Sequence, residues 1–306
     1  MVILLCKRLA QAFLILLGVA AITFVLLYAL PADPARMIAG RSATAQTVAS
    51  IRHELGLDQP LLVQFWTYLT GLLQGDLGRS YAQKTEVWTL IAARLPATLT
   101  LMAAGIFVEV VLGITFGTIA AVRRGSFVDR LVMTASFVGV SAPQFVAALL
   151  LLYVFAVTLG WFPMSGYGSF AHIVLPALTL GILGAGWYAR MVRSAMIEVL
   201  NQDYVRTARA KGLSSRRIIF RHALPNAILP IIAMIGIDIG QFMGGVVVVE
   251  AVYGWPGIGQ LAWQAIQQVD IPIIMGVTLT SALAIVAGNL LADLIAPVID
   301  PRIRTS

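Results

Sequence analysis

Six stretches of this chain, at about 9–30, 97–121, 135–159, 172–191, 227–249 and 271–294, stay apolar over the length needed to cross a bilayer as a helix, about 20 residues. No other property of the sequence narrows the fold as far. In lipid each backbone N–H and C=O must be satisfied internally, so a spanning segment is a helix or part of a closed barrel. Long apolar runs without strict alternation are helices. Composition agrees, because 59% of the 306 residues are hydrophobic and 11% are charged, against about 25% charged residues in a soluble domain. The chain is read as an all-α polytopic membrane protein with six transmembrane helices. A soluble enzyme and a disordered chain are excluded, and so is a disulfide scaffold, since Cys6 has no second cysteine to pair with.

The net charge of +7 records orientation rather than a nucleic-acid partner, because short cytoplasmic loops of membrane proteins collect Lys and Arg. Basic residues gather at Lys7 and Arg8, at Arg123, Arg124 and Arg130, from Arg190 to Arg221, and at Arg302 and Arg304, whereas loops 160–171 and 250–270 have none. Both termini are therefore expected in the cytoplasm. Segment 9–30 exceeds a signal-peptide core and is read as an uncleaved anchor. Segment 31–96 is too polar to span. It opens on the turn Pro31-Ala32-Asp33-Pro34, shows helical spacing of apolar residues over 44–55 and Leu61–Leu73, and turns again at Gly75-Asp76-Leu77-Gly78. The expectation is a small extracytoplasmic helical insert. Residues 1–96 then form anchor plus insert, and 97–306 the main transmembrane domain.

Several spans carry helix breakers. Ser141 and Pro143 interrupt the third, Gly181, Gly184 and Gly186 run through the fourth, and Gly236, Gly240, Gly244 and Gly245 recur in the fifth. Small residues let helices pack closely in lipid, and breaks are tolerated against protein or a water-filled cavity. Close packing accounts for many of these glycines; a translocation path accounts for their clustering, with Ser141 and Pro143 as gate candidates. Carboxylates inside spans mark function by default or are hydrogen-bonded within the bundle. Glu109 and Asp238 lie mid-span and are pathway candidates, and Asp293 lies near an inner end. In the outer loop Trp255 and Pro256 make a turn before an amphipathic stretch with Ile258, Leu261, Trp263 and Ile266. That stretch is expected to line or close the outer mouth of the path, or to anchor at the interface.

Chemistry is absent in an informative way. There is no G-x-x-x-x-G-K-[ST] and no Gly-Lys pair, hence no phosphate cradle for ATP. His53, His172 and His222 fall in three separate regions, with neither H-E-x-x-H nor G-x-S-x-G. No catalytic residue, no metal ligand and no cofactor is assigned to the chain.

The loop between the fourth and fifth spans, about 198–225, is far longer than a helix hairpin requires. Leu200, Tyr204 and Ala208 share one helical face, while Arg206, Arg209 and Lys211 lie off it. Gly212 breaks the helix, Ser214 can start another, and Ile218, Ile219 and Phe220 form its apolar patch. Two short helices with apolar knobs and a basic rim suit the docking of a cytoplasmic protein.

The residues Asp203-Tyr204-Val205-Arg206-Thr207-Ala208-Arg209-Ala210-Lys211-Gly212-Leu213, with His222-Ala223-Leu224-Pro225-Asn226-Ala227, resemble the coupling loop of ABC-importer permeases of the dipeptide/oligopeptide/nickel family. Ala208, Gly212, Leu224 and Pro225 match the general pattern E-A-A-x-x-x-G…I-x-L-P, and Arg206, Thr207 and His222 depart from it as the peptide-type branch does. Further motifs in order extend the resemblance along the chain, among them Gly139-Val140-Ser141-Ala142-Pro143, Trp255-Pro256-Gly257-Ile258-Gly259 and Asp300-Pro301-Arg302-Ile303-Arg304.

The resemblance implies a type I importer permease of the bacterial inner membrane, with one helix and a periplasmic insert ahead of a five-helix core. It implies a homologous second permease, two P-loop ATPase subunits that bind ATP and Mg and dock on the 198–225 loop, and a periplasmic substrate-binding protein. Peptide transport is the expected activity; nickel, glutathione or another small solute is the alternative within the family. From a different class, an ion-coupled secondary carrier would use Glu109 and Asp238.

Overall fold

The computed structural model describes residues 2–29, 34–40 and 43–299, without the side chains of 2–6, 27–29, 34, 37, 244, 245 and 291–299. The turn at 31–33, the tail motif 300–304 and the surroundings of Cys6, Gly244, Gly245 and Asp293 lie outside the described residues.

The elements are helical, and among the described residues the only β-type pairing is an isolated bridge between Arg79 and Glu86. Among the described residues four helices are long and apolar enough to cross a membrane: α1 (Val2–Ala29), α5 (Val87–Val122), α8 (Phe170–Leu200) and α15 (Ile271–Ile299). Two bent helix pairs bring the number to six if each pair is one span. The third expected span is one of these pairs. Helix α6 (Phe127–Ser141) ends where α7 (Gln144–Leu151) and its π-helical continuation Leu152–Thr158 turn away by 105°. Pro143 is the cause, since the residue before a proline is driven out of the α region, and Ala142 is extended at φ −74° and ψ 130°.

Other boundaries shift for equally local reasons. Helix α5 begins at Val87, so Pro96 sits inside it rather than at its start. Helix α8 runs on to Leu200, because Val192 and Met196 continue its buried face beyond the apolar stretch. The fifth span is α12 (Leu229–Gly245), followed by α13 (Val247–Tyr253).

The chain forms two compact units, neither of them one continuous segment. The first comprises Met1–Thr98, Met243–Val247 and Pro256–Val286. Its insert carries α2 (Pro34–Ala39), α3 (Ala45–Glu54) and α4 (Leu61–Leu73). Thr44 caps α3 by accepting the Thr47 N–H at 3.2 Å, and Phe65 and Tyr68 of α4 pack on Phe24 of α1. On the insert surface His53 and Asp58 share a hydrogen bond of 2.7 Å, which pushes the imidazole pKa up and the carboxyl pKa down. Helix α14 (Ile258–Gln268) ends at Val269, left-handed at φ 51°. The turn places Asp270, 1% exposed, to accept from Ser80 Oγ at 2.5 Å, the Ala82 N–H at 3.0 Å and the Tyr81 N–H at 3.2 Å.

The second unit comprises Leu99–Phe242, Val248–Trp255 and Ala287–Ser306. Here α6 and α7 pack on α8. Arg193 of α8 grips Asp129 of α6 with two hydrogen bonds of 2.6 and 2.8 Å, and Asp129 also accepts the Gly125 N–H at 2.8 Å.

Candidate functional site

A cavity of about 360 Å³ opens within the second unit, walled by α5, α8, α12 and the break between α6 and α7. Glu109 of α5 and Asp238 of α12 both line it, with carboxyls close enough to interact directly. The sequence offers them as two separate mid-span candidates, and the fold brings them to one place. Tyr188 of α8 donates its hydroxyl hydrogen to Asp238. Glu109 is 3% exposed, and its Oε2 is buried without a hydrogen-bond partner. Glycine at position 184 makes this arrangement possible, because a Cβ there would overlap the Glu109 side chain. Among the described residues no cationic side chain is paired with either carboxyl. Arg190, one turn beyond Trp187, lies instead over the rings of Trp187 and Phe137, at 4.3 and 4.8 Å. Nor does any group of three or more His, Cys, Asp or Glu among the described residues stand ready to hold a metal ion.

Ser141 and Pro143 break the helix but do not line this cavity. Both are exposed, and the wall is made by the alternate residues Val140, Ala142 and Gln144.

Trp255 is 2% exposed, meets the Tyr167 ring edge-on at 4.8 Å, and donates its backbone N–H to Glu250 O at 2.8 Å. It is a packed core residue. Pro256 is half-buried. The amphipathic stretch that follows is α14, with Ile258 and Leu261 buried and Trp263 and Ile266 exposed.

The 198–225 loop folds around a small core of its own. Helix α9 (Asp203–Ala210) turns Val205 and Ala208 inward against Ile218, Leu200 and Leu213. Gly212 makes the turn at φ +73°, a conformation that only glycine adopts freely, and Leu213 N–H then bonds Ala208 O at 3.3 Å. The return arm is α10 (Ser215–Arg217), a π-helical turn Ile218–Ala223 and α11 (Leu224–Ala227). Ala223 and Ala227 are buried against Tyr188, Val192 and Met196 of α8, with half-buried Leu224 beside them. Pro225 is exposed in the first turn of α11, where a missing N–H costs nothing.

Two expectations change here. The face predicted from Leu200, Tyr204 and Ala208 splits, since Ala208 is 7% exposed and Tyr204 43%. Ile218, expected as an exposed knob, is 3% exposed, while Phe220 stays open at 60%. The reason is that two short helices hold an angle only by burying side chains between them. The outer surface is thus Tyr204, whose hydroxyl reaches His222 O at 3.4 Å, together with Phe220 in a recess of about 370 Å³ shared with Arg216 and Arg217. Arg206 is exposed and pairs with Asp203 at 3.4 Å.

Sequence reading missed Tyr188 and the role of Gly184. One signal existed: the two lie four residues apart, on one face of a helix.

Two family models match the chain. The family described as "Binding-protein-dependent transport system inner membrane component" matches residues 113–305. Its companion, "Binding-prot-dependent transport system membrane comp, N-term", matches residues 1–102. The glutathione transport system permease protein GsiC of Salmonella typhimurium is 43% identical over 298 residues, 97% of each chain. The protein of that name from Escherichia coli strain K12 is 42% identical over the same length, again 97% of each. Among solved structures, an inward-facing MetNI methionine ABC transporter is similar in fold, with a TM-score of 0.55 at 23% identity. The match covers 69% of this chain and 97% of that one.

Proposed function

The chain belongs to the family of binding-protein-dependent transport system inner-membrane components, and from that premise we propose how it works and what it carries. It is the permease subunit of an importer, a multi-pass inner-membrane protein that leaves ATP hydrolysis to partner subunits. We infer a peptide-type solute, glutathione or a di- or oligopeptide, a reading supported by relatives named for glutathione transport. A second, homologous permease completes the pathway, and a periplasmic binding protein delivers the solute to its outer face. Two P-loop ATPases, carrying ATP and Mg, dock on the 198–225 loop. Both termini lie in the cytoplasm, as the distribution of Lys and Arg supports.

The observation that carries this reading is the construction of the loop. It has its own core, an outer surface on which Tyr204 and Phe220 stand among arginines, and a return arm buried against α8. A partner that pushes on Tyr204 and Phe220 therefore moves a small rigid body seated on a spanning helix. Closure of the ATPase pair would drive that body, and the spans would rearrange around it.

The test is reconstitution of the chain with its second permease, ATPases and binding protein in liposomes. Uptake should need ATP, survive a protonophore while ATP is held constant, and be accompanied by hydrolysis that the loaded binding protein stimulates. Uptake that collapses with the protonophore at constant ATP would replace the importer by the ion-coupled carrier.

A further inference from the structure

We propose that the cavity between Glu109 and Asp238 is a subsite for the primary ammonium group of the solute in transit, such as the free amino end of a peptide. The proposal rests on the importer reading in one respect, that a solute passes this point of the bundle.

Three features of the cavity carry it. The first is charge. Two carboxyls held together away from bulk water are compensated by a proton or by a cation, and among the described residues no protein cation is paired with them. Arg190 is near in sequence to Trp187 but is held by aromatic rings.

The second feature is space. The two carboxyls line a cavity of about 360 Å³, with room for a group beside them. That volume is at the small end of ligand pockets, which run from about 300 to 1,000 Å³. Glycine at 184 leaves room for the Glu109 carboxyl beside it.

The third is the acceptor set. An ammonium group has three donor hydrogens and no acceptor. Glu109 Oε2 is buried with no partner, Asp238 is oriented by the Tyr188 hydroxyl, and that hydroxyl oxygen retains lone pairs of its own. The three residues that carry these acceptors, on α5, α8 and α12, line one cavity. Gln144 and Gln241 on the same wall offer amide groups of the kind that pair with a peptide backbone. A divalent metal is served less well, because among the described residues no third His, Cys, Asp or Glu joins the two carboxyls.

The experiment uses the assembled importer with Cys6→Ser and a reporter Leu183→Cys on the cavity wall. Maleimide labelling of the reporter is timed with trialanine amide, or with N-acetyltrialanine amide, which has lost the ammonium. Trialanine amide at twice its dissociation constant should slow labelling by about threefold, and the acetylated probe should not. Glu109→Gln with Asp238→Asn should abolish the slowing, and Glu109→Gln alone should raise the concentration required by about tenfold.

Equal slowing by the two probes, slowing by neither, or slowing unchanged in the double variant would overturn the proposal. Should the double variant not assemble, the two probes compared on unaltered carboxyls decide alone. Hydrolysis stimulated by the binding protein is read on the same preparations. Its absence from the unsubstituted importer would strike the importer reading, whereas normal stimulation with equal slowing by both probes strikes only the ammonium subsite.

Discussion

Gly212 separates two explanations of the loop, backbone conformation and side-chain contact. Its φ is +73°, and a Cβ built there meets nothing within 4 Å, so a side chain at 212 would be penalised by the backbone alone. The left-handed conformation costs an ordinary residue about 1–2 kcal/mol, less for Asn and more for a β-branched residue. That is a factor of roughly 5–30 in the fraction of loops correctly turned. The consequence is local and definite. Leu213 N–H loses Ala208 O, Leu213 leaves the core around Val205, Ala208 and Ile218, and Phe220 is re-aimed. Function should therefore fall in the order Gly212, Gly212→Asn, Gly212→Ala, Gly212→Val. The assay is co-purification of the ATPase subunits together with binding-protein-stimulated hydrolysis, at matched membrane expression. Gly212→Asn as damaging as Gly212→Val would mean that volume matters and not φ. A harmless Gly212→Val would mean that the turn does not aim the docking surface.

Two further predictions concern burial. Ala208→Asp places an unpaired carboxylate in the loop core and should cost more than about 2 kcal/mol, losing ATPase capture and making the loop sensitive to trypsin. Phe220→Ala should weaken capture without that sensitivity, and Arg216→Ala should change little. Arg193→Met strands the buried Asp129 carboxylate and should destabilise the complex by about 3 kcal/mol, the low end for a broken buried pair, because Arg193 is itself 27% exposed. The melting temperature of the solubilised complex should drop and partly recover on adding Asp129→Asn; no recovery would mean that the pair is not the cause.

Legibility followed the range of the interactions. Spans, insert helices and the break at Pro143 depend on apolar runs and on local backbone chemistry, and they appear where the sequence places them, with ends shifted by a few turns. The overruns have one origin. Val192 and Met196 lie beyond the apolar stretch, yet they find partners in the return arm of the loop, and a helix continues as long as its buried face has something to cover. Side-chain orientation was less legible. Ser141 and Pro143 were identifiable as breakers, but which neighbours face the cavity depends on how α7 leaves α6 at 105°. Ala208 and Tyr204 share a helical face by spacing alone, yet the second helix of the loop covers one and not the other, and that follows from the angle set at Gly212. The meeting of Glu109 with Asp238 is fully non-local, and no spacing rule could supply it.

What connects the two candidate sites is also non-local, and it is one residue. Tyr188 holds Asp238 at the cavity, and its ring lies in the same buried cluster as Ala223 and Ala227 of the loop's return arm. From Tyr188 to Leu200, where the loop core begins, α8 rises about 18 Å at 1.5 Å per residue, and Arg193 clamps that stretch to α6 on the way. A shift of the return arm thus reaches the cavity by two routes: along a clamped helix, and directly through one layer of packed side chains onto the Tyr188 ring. Packed interiors resist compression and transmit displacement. Motion of the loop should therefore change the hold of Tyr188 on Asp238 before it changes the course of any helix. In this arrangement the proposed docking surface and the carboxyl pair are mechanically adjacent, although Glu109 precedes the loop and Asp238 follows it in the chain.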